Sequence, residues 1–139
     1  MSGETDLSIL FSSLKVTKSD DIFVFVTCAP EEVPDNLPVL MRFEETEGTS
    51  LILEKQIAEQ FALSYEFESH MITLDVHSSL EAVGFMAQIA SRLAVHHIPV
   101  NPVAGFYHDH LFVPADRVDE AVHILQDLAK SARETGVVK

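Results

Sequence analysis

His70-Met71-Ile72-Thr73-Leu74-Asp75-Val76-His77, then Ser78-Ser79-Leu80-Glu81-Ala82-Val83-Gly84, then Phe85-Met86-Ala87-Gln88-Ile89-Ala90-Ser91-Arg92-Leu93-Ala94, is the stretch that decides the fold. Ile72, Leu74 and Val76 alternate with Thr73, Asp75 and His77, the two-residue period of a strand, which predicts one over 65–76. Ala82, Phe85, Met86, Ile89, Ala90, Leu93 and Ala94 share one stripe at helical spacing, which predicts a helix over 80–97. Ser78 with Glu81 three residues on has the capping-box pattern and supports that helix start. Pro99 and Pro102 end the helix and open a strand near 103–107. His108-Asp109 reads as a hairpin turn, 110–114 as the return strand, and Asp116 as the cap of a last helix with Val118, Ala121, Val122, Leu125 and Ala129 inward. This βαββα order places Gly84 where a strand hands over to a helix. Backbone N–H groups at such a turn can hold an anion such as a carboxylate.

Upstream, Leu7, Leu10, Phe11 and Leu14 predict a short amphipathic helix over 5–14. The run Ile22-Phe23-Val24-Phe25-Val26-Thr27-Cys28 is short and β-branched, and reads as a buried strand. Pro30, Pro34 and Pro38 make 29–38 a loop. Strands over 39–46 and 49–53 turn at Glu47-Gly48, and a helix over 54–62 turns Ile57, Ala58 and Phe61 to one face. The segment from Gly48 to Ala58 has the same order of elements as that from His108 to Val118, offset by about 60 residues, which suggests a repeat. The expectation is an α+β protein of two tandem sandwiches. Residues 1–68 form a degenerate first unit with the proline-rich loop in place of a helix, and 69–139 form the second.

The chain carries 22 acidic against 9 basic residues, a formal charge of −13, which disfavours nucleic acid and anionic membrane surfaces as partners. Fourteen of the acidic residues lie before position 70, a distribution that solvated surface explains. Cys28 is the single cysteine and sits in an apolar strand, so neither an internal disulfide nor a thiolate zinc site is expected. The start, Met1-Ser2-Gly3-Glu4-Thr5-Asp6, lacks the pattern of a signal peptide, and no segment has the roughly 20 apolar residues of a membrane helix. The expectation is a soluble cytoplasmic protein.

Leu74-Asp75-Val76 leading into Val83-Gly84-Phe85-Met86-Ala87-Gln88-Ile89-Ala90 resembles the first strand and helix of an ACT domain, a small regulatory module of amino-acid metabolism. His97-Ile98-Pro99-Val100 is similar to that module's approach to its second strand, with His97 where glycine is usual. Leu111-Phe112-Val113-Pro114 with Val118-Asp119-Glu120-Ala121 resembles its closing strand and second helix. The runs from His77 to Gly84 and from Gly105 to His110 resemble a bacterial family of short tandem ACT-like proteins without an established function. The likeness is good over 70–130 and weak over 1–69. It departs from the family at the Asp-x-x-Gly turn, which is stretched so that Asp75 and Gly84 lie nine positions apart.

The resemblance implies a ferredoxin-like βαββαβ fold, side-by-side pairing of units, and ligand binding at the turn between first strand and first helix. The implied site comprises Asp75, His77, Ser78, Ser79, Leu80, Val83, Gly84, Val103 and Asp109. A ligand carboxylate would rest on amides from Leu80 to Gly84, its ammonium would face Asp75, Asp109 or a carbonyl, and its side chain would lie near Val83 and Val103. The implied function is reversible binding of an amino acid or related metabolite, without catalysis or cofactor. A homodimer is expected, with a separate regulated protein as a further partner. A different reading makes the chain a metal-binding protein or metal-dependent enzyme using His108, Asp109 and His110, helped by His96-His97 and by His70 or His77. A third makes it a structural partner module. A catalytic pair of His77 with Ser78 or Ser79 is disfavoured, because adjacent residues on an extended chain point to opposite sides.

Overall fold

The computed structural model describes residues 3 and 5–135. Its spine is one antiparallel sheet. The apolar run from Phe23 to Cys28 forms β2, which pairs with β4 (Thr49–Glu54) from Phe23↔Glu54 to Cys28↔Thr49. β3 (Met41–Glu44) pairs on the far side of β4. The second half repeats this arrangement. β5 (Glu66–Leu74) pairs with β7 (Asp109–Pro114), and β6 (Asn101–Ala104) pairs beyond β7. Met41↔Ile52 in the first hairpin and Asn101↔Phe112 in the second give the same register displaced by about 60 positions, the repeat expected from the sequence. The strand order is β3-β4-β2-β5-β7-β6, with two ferredoxin-like units meeting at the β2–β5 seam.

β5 serves both units. Its first part pairs with β2 (Phe23↔Ser69, Phe25↔Glu66), and its last part pairs with β1 (Val16–Lys18), from Val16↔Leu74 to Lys18↔Ile72. β1 is three residues long and half-buried or exposed throughout, too short to show a period, so no periodicity marks it in the sequence. Ahead of it lies α1 (Leu7–Ser12), capped where Ile9 N donates to Asp6 Oδ1 at 3.2 Å.

Helices cover one face of the sheet. In the second unit α3 (Phe85–Val95) and α4 (Val118–Thr135) bury Phe85, Ile89, Leu93, Ala121, Leu125 and Leu128 against Ile72, Leu74, Leu111 and Val113. Leu10, Phe11 and Leu14 join that core, so the start of the chain packs with the second unit. The first unit has a smaller core of Val24, Val26, Leu51, Leu53 and Ala58, covered by α2 (Lys55–Gln60) and by Val33 and Leu37 from the proline-rich loop. The opposite sheet face carries no helix among the described residues. It holds buried Phe23, Ile52 and Phe112, with Phe112 set edge-on to Phe23 at 6.0 Å and to Phe25 at 5.7 Å.

Four local expectations are corrected. The third helix begins at Phe85, not near residue 80, because Gly84 takes φ +92° and a residue in that region cannot continue a right-handed helix. The capping box does not form. Ser78 Oγ donates to Asp109 instead, and Ser79 Oγ accepts from Glu81 N at 3.1 Å. The second hairpin turns over 105–108, closed where Gly105 N donates to His108 O at 2.9 Å, so Asp109 already lies in β7. Asp116 sits inside a 3-10 turn, Ala115–Arg117, that precedes α4 and has no side-chain cap.

Candidate functional site

The strand–helix connection of the second unit, residues 75–84, crosses the end of the sheet beside the β6–β7 hairpin. Asp75 N donates to Lys15 O at 2.7 Å, which ties the start of the connection to the segment just before β1. At Gly3 a Cβ would lie 2.6 Å from the carbonyl oxygen of His77, so only glycine allows the chain to pass this close to 77–79. Gly84 ends the connection in the left-handed region, where other residues cost about 1–2 kcal/mol. Leu7 stands 3.4 Å from where a Cβ on Gly84 would sit.

This path encloses a cleft of about 110 Å³. Ser78, Ser79 and Leu80 form one side, Phe85 and Met86 of α3 the second, and Ala104, Gly105 and Asp109 of the hairpin the third. Ser78 is buried, and its hydroxyl donates to Asp109 Oδ2 at 3.1 Å. The first turn of α3 opens onto the same cleft. Among the described residues no protein group accepts from the amide hydrogens of Phe85, Met86 and Ala87, the usual orphan donors of a helix start. The cleft therefore offers a carboxylate, a hydroxyl and helix N–H donors, a set that suits a small zwitterion.

Of the residues expected from the sequence, Ser78, Ser79, Leu80 and Asp109 line this cleft, and Gly84 shapes it from the N-cap of α3. Asp75 stands apart, its Oδ1 3.8 Å from His108 Nε2. The His77 ring packs against Tyr107 at 5.4 Å and Phe106 at 6.4 Å, next to the cleft but outside its lining. Val83 is 83% exposed, and Val103 points to the opposite sheet face. Ala82, Phe85, Met86, Ala104 and Gly105 line the cleft without having been expected there. The signal that could have found Phe85 and Met86 was Gly84 itself, since a glycine ahead of them can start a helix as readily as interrupt one.

The two histidines of the His-x-His pair are engaged separately. His108 Nδ1 lies 3.5 Å from Val76 O, whereas His110 Nδ1 lies 3.0 Å from Thr73 Oγ1. Burial, with His108 nearby, pushes the His110 imidazole below its ordinary range. Among the described residues no three His, Cys, Asp or Glu side chains converge as a metal site would need. The metal reading of His108, Asp109 and His110 thus lacks a third ligand there. Likewise, no described helix is long and apolar enough to cross a membrane.

Comparison with known proteins follows the division of the sheet. Residues 2–70 match one family model described as an ACT domain, and residues 66–127 match a second with the same description. A solved structure from Vibrio cholerae, of unknown function and named as a possible transport protein, is 36% identical. The match covers 88% of this chain and 95% of that one, with a TM-score of 0.79. A protein from Agrobacterium tumefaciens is 14% identical over 84% of this chain and 89% of its own, with a TM-score of 0.70. The ligand-free regulatory subunit of aspartate kinase from Thermus thermophilus is 10% identical over 83% and 95%, with a TM-score of 0.63. At these last two identities the likeness is one of fold. No curated protein matches the sequence.

Proposed function

The chain belongs to the ACT domain family, and from that premise we propose that it is a non-catalytic, cytoplasmic regulatory protein that binds an amino acid or closely related metabolite at the strand–helix turn of its second unit. The observation that carries this reading is the meeting of Asp109, Ser78 and the free amides of the α3 first turn around one cleft. The ligand carboxylate takes the amides of Phe85 to Ala87, favoured by the positive end of the helix dipole. Its ammonium takes Asp109, whose second oxygen is left by the Ser78 hydroxyl. Cleft volume is below the roughly 300 Å³ at which ligand pockets usually begin, so it holds the amino-acid backbone and lets the side chain project. The projecting part meets exposed Leu80 and, beyond it, the apolar surface of Val83, Phe106 and Tyr107. That surface is the contact through which a second copy or a regulated protein partner would close the site.

The test is a thermal-shift screen of the full chain against the twenty amino acids. A ligand at about 100 times its Kd adds roughly 2.7 kcal/mol, on the order of 5–10 °C for a chain of this size. Asp109→Asn keeps an acceptor for Ser78 but removes the charge facing the ammonium, and should weaken the response at least about ten-fold. Gly84→Val should abolish it. An amino acid that binds D109N and G84V as tightly as the unaltered protein would rule out this site.

A further inference from the structure

The sheet face that carries no helix holds a second cavity, of about 250 Å³. Both units build it. Met41 and Ile52 come from β3 and β4, Met71 from β5, and Val103 and Phe112 from β6 and β7. Neighbouring strand residues point to opposite faces. Asp109 therefore enters the turn cleft while His110, next in the chain, enters this cavity, and Ala104 and Val103 divide in the same way. Gly105 lines both. The two cavities lie back to back across one hairpin.

Among the residues lining the open-face cavity, His110 has the only polar side chain. Its Nδ1 is held at 3.0 Å by Thr73 Oγ1, and no protein group pairs with its Nε2 among the described residues. Nε2 is instead the ring atom closest to where a side chain on Gly105 would stand, 3.5 Å away, so the glycine leaves it open. We propose that this cavity is a second binding site, for a small neutral molecule that is mostly hydrocarbon and carries one hydroxyl to pair with His110 Nε2. Three observations fix that chemistry. The volume equals about eight waters of liquid, enough for one ring with a short substituent. The remaining lining is aliphatic, thioether or aromatic, with no cation for an anion to meet, and the formal charge of −13 repels anions further. A hydroxyl both donates and accepts, so it satisfies Nε2 whichever way the Thr73 hydroxyl sets the tautomer.

The methionines make the test specific. Met41 and Met71 line this cavity, whereas Met86 lines the turn cleft. With the full chain labelled at the methionine methyls with carbon-13, titration with benzyl alcohol should shift Met41 and Met71 saturably and leave Met86 in place. Toluene, which lacks the hydroxyl, should bind about ten-fold more weakly. His110→Phe should remove that difference. Val103→Phe should fill the cavity and end binding while the Met86 signal stays put. Leu40→Phe, at the exposed rim, is a second filling variant with the same expectation should V103F fail to fold. Failure of benzyl alcohol to shift Met41 and Met71 overturns the proposal, as does a shift confined to Met86. It is equally overturned if Met41 and Met71 respond to protein concentration instead of the probe, because a second copy then covers this face. An amino acid that moves Met86 alone leaves the turn site standing by itself, so the two sites succeed or fail separately.

Discussion

The two halves of the sheet share a register and differ in what covers them. In the second unit a long connection, an eleven-residue helix and an eighteen-residue helix follow the template βαββα order. In the first, the connection after β2 collapses to a 3-10 turn, Pro30–Glu32, within a loop, and the closing helix has six residues. The proposed binding cleft uses a strand that hands over to a helix through a glycine, and among the described residues only the second unit has one. The first unit's missing helix is not made good by another helix: beside the short α2, the loop that replaces it lays only Val33 and Leu37 on the core. The helix that the chain does add near its start, α1, goes to the second unit, where Phe11 meets Phe85 at 5.0 Å. Helical cover is thus concentrated where the proposed site is, and the first unit supplies sheet.

The strongest way to break this comparison is Phe11→Ala. Phe11 is fully buried and packs on the residue that begins α3, so its loss should cost about 3–5 kcal/mol. Leu53→Ala in the smaller core should cost about 2–5 kcal/mol. Chemical denaturation measures both. The informative outcome is specificity: F11A should also loosen the turn cleft, seen as lost amino-acid response at temperatures where the chain is still folded, and L53A should not. Equal loss of response in the two variants would mean that α1 has no special tie to the site.

Both units end a helix in the same strained way. After α3, His97 N donates to Ala94 O at 2.9 Å and Ile98 N to Leu93 O at 3.2 Å, with His97 at φ +57°. After α2, Ala62 N donates to Glu59 O and Leu63 N to Ala58 O, with Ala62 at φ +55°. This is the Schellman arrangement, which favours glycine at the left-handed position. His97→Gly and Ala62→Gly should each stabilise the chain by about 1 kcal/mol, read as a raised melting temperature. If only one of them does so, the two ends differ in ways their hydrogen bonds do not reveal.

Most of the fold was legible because periodicity survives where one face is buried. Ile72 and Leu74 against Thr73, and the stripe from Phe85 to Leu93, gave their elements away. The repeat was legible too, in the matching order around Gly48 and His108. What stayed hidden depends on distant contacts. Nothing local to Leu10 or Phe11 says that they pack on α3 rather than on the first unit. Ser78 followed by Glu81 reads as a cap, but the buried Ser78 hydroxyl goes to Asp109, thirty-one positions on, instead. Val103 was assigned to the ligand although its neighbour Ala104 is the residue that lines the cleft, a one-residue slip that in a strand reverses the face. The open-face cavity was invisible for the same reason, since Met41, Met71 and Phe112 come together only when the sheet is assembled.

The finest contrast between the units is electrostatic. In the second, His110 is half-buried beside Thr73, and burial lowers its pKa. A histidine whose folded pKa lies below its unfolded value binds fewer protons folded than unfolded, so stability falls as the pH drops through and below about 6.5. In the first, Glu54 shares a hydrogen bond with Asp21, and their mutual repulsion raises the Glu54 pKa. A carboxyl raised in the folded state contributes stability that is present at low pH and lost as the pH rises above its ordinary range near 4.5. The two effects oppose each other, and each variant isolates one. His110→Phe should flatten the fall in melting temperature on going from about pH 7 to pH 5, the imidazole range. Asp21→Asn should raise the melting temperature at neutral pH and leave it nearly unchanged in acid, where the shared proton already quiets the repulsion. Were H110F to keep the full acid sensitivity, the protonation that destabilises the chain would have to be sought at another histidine.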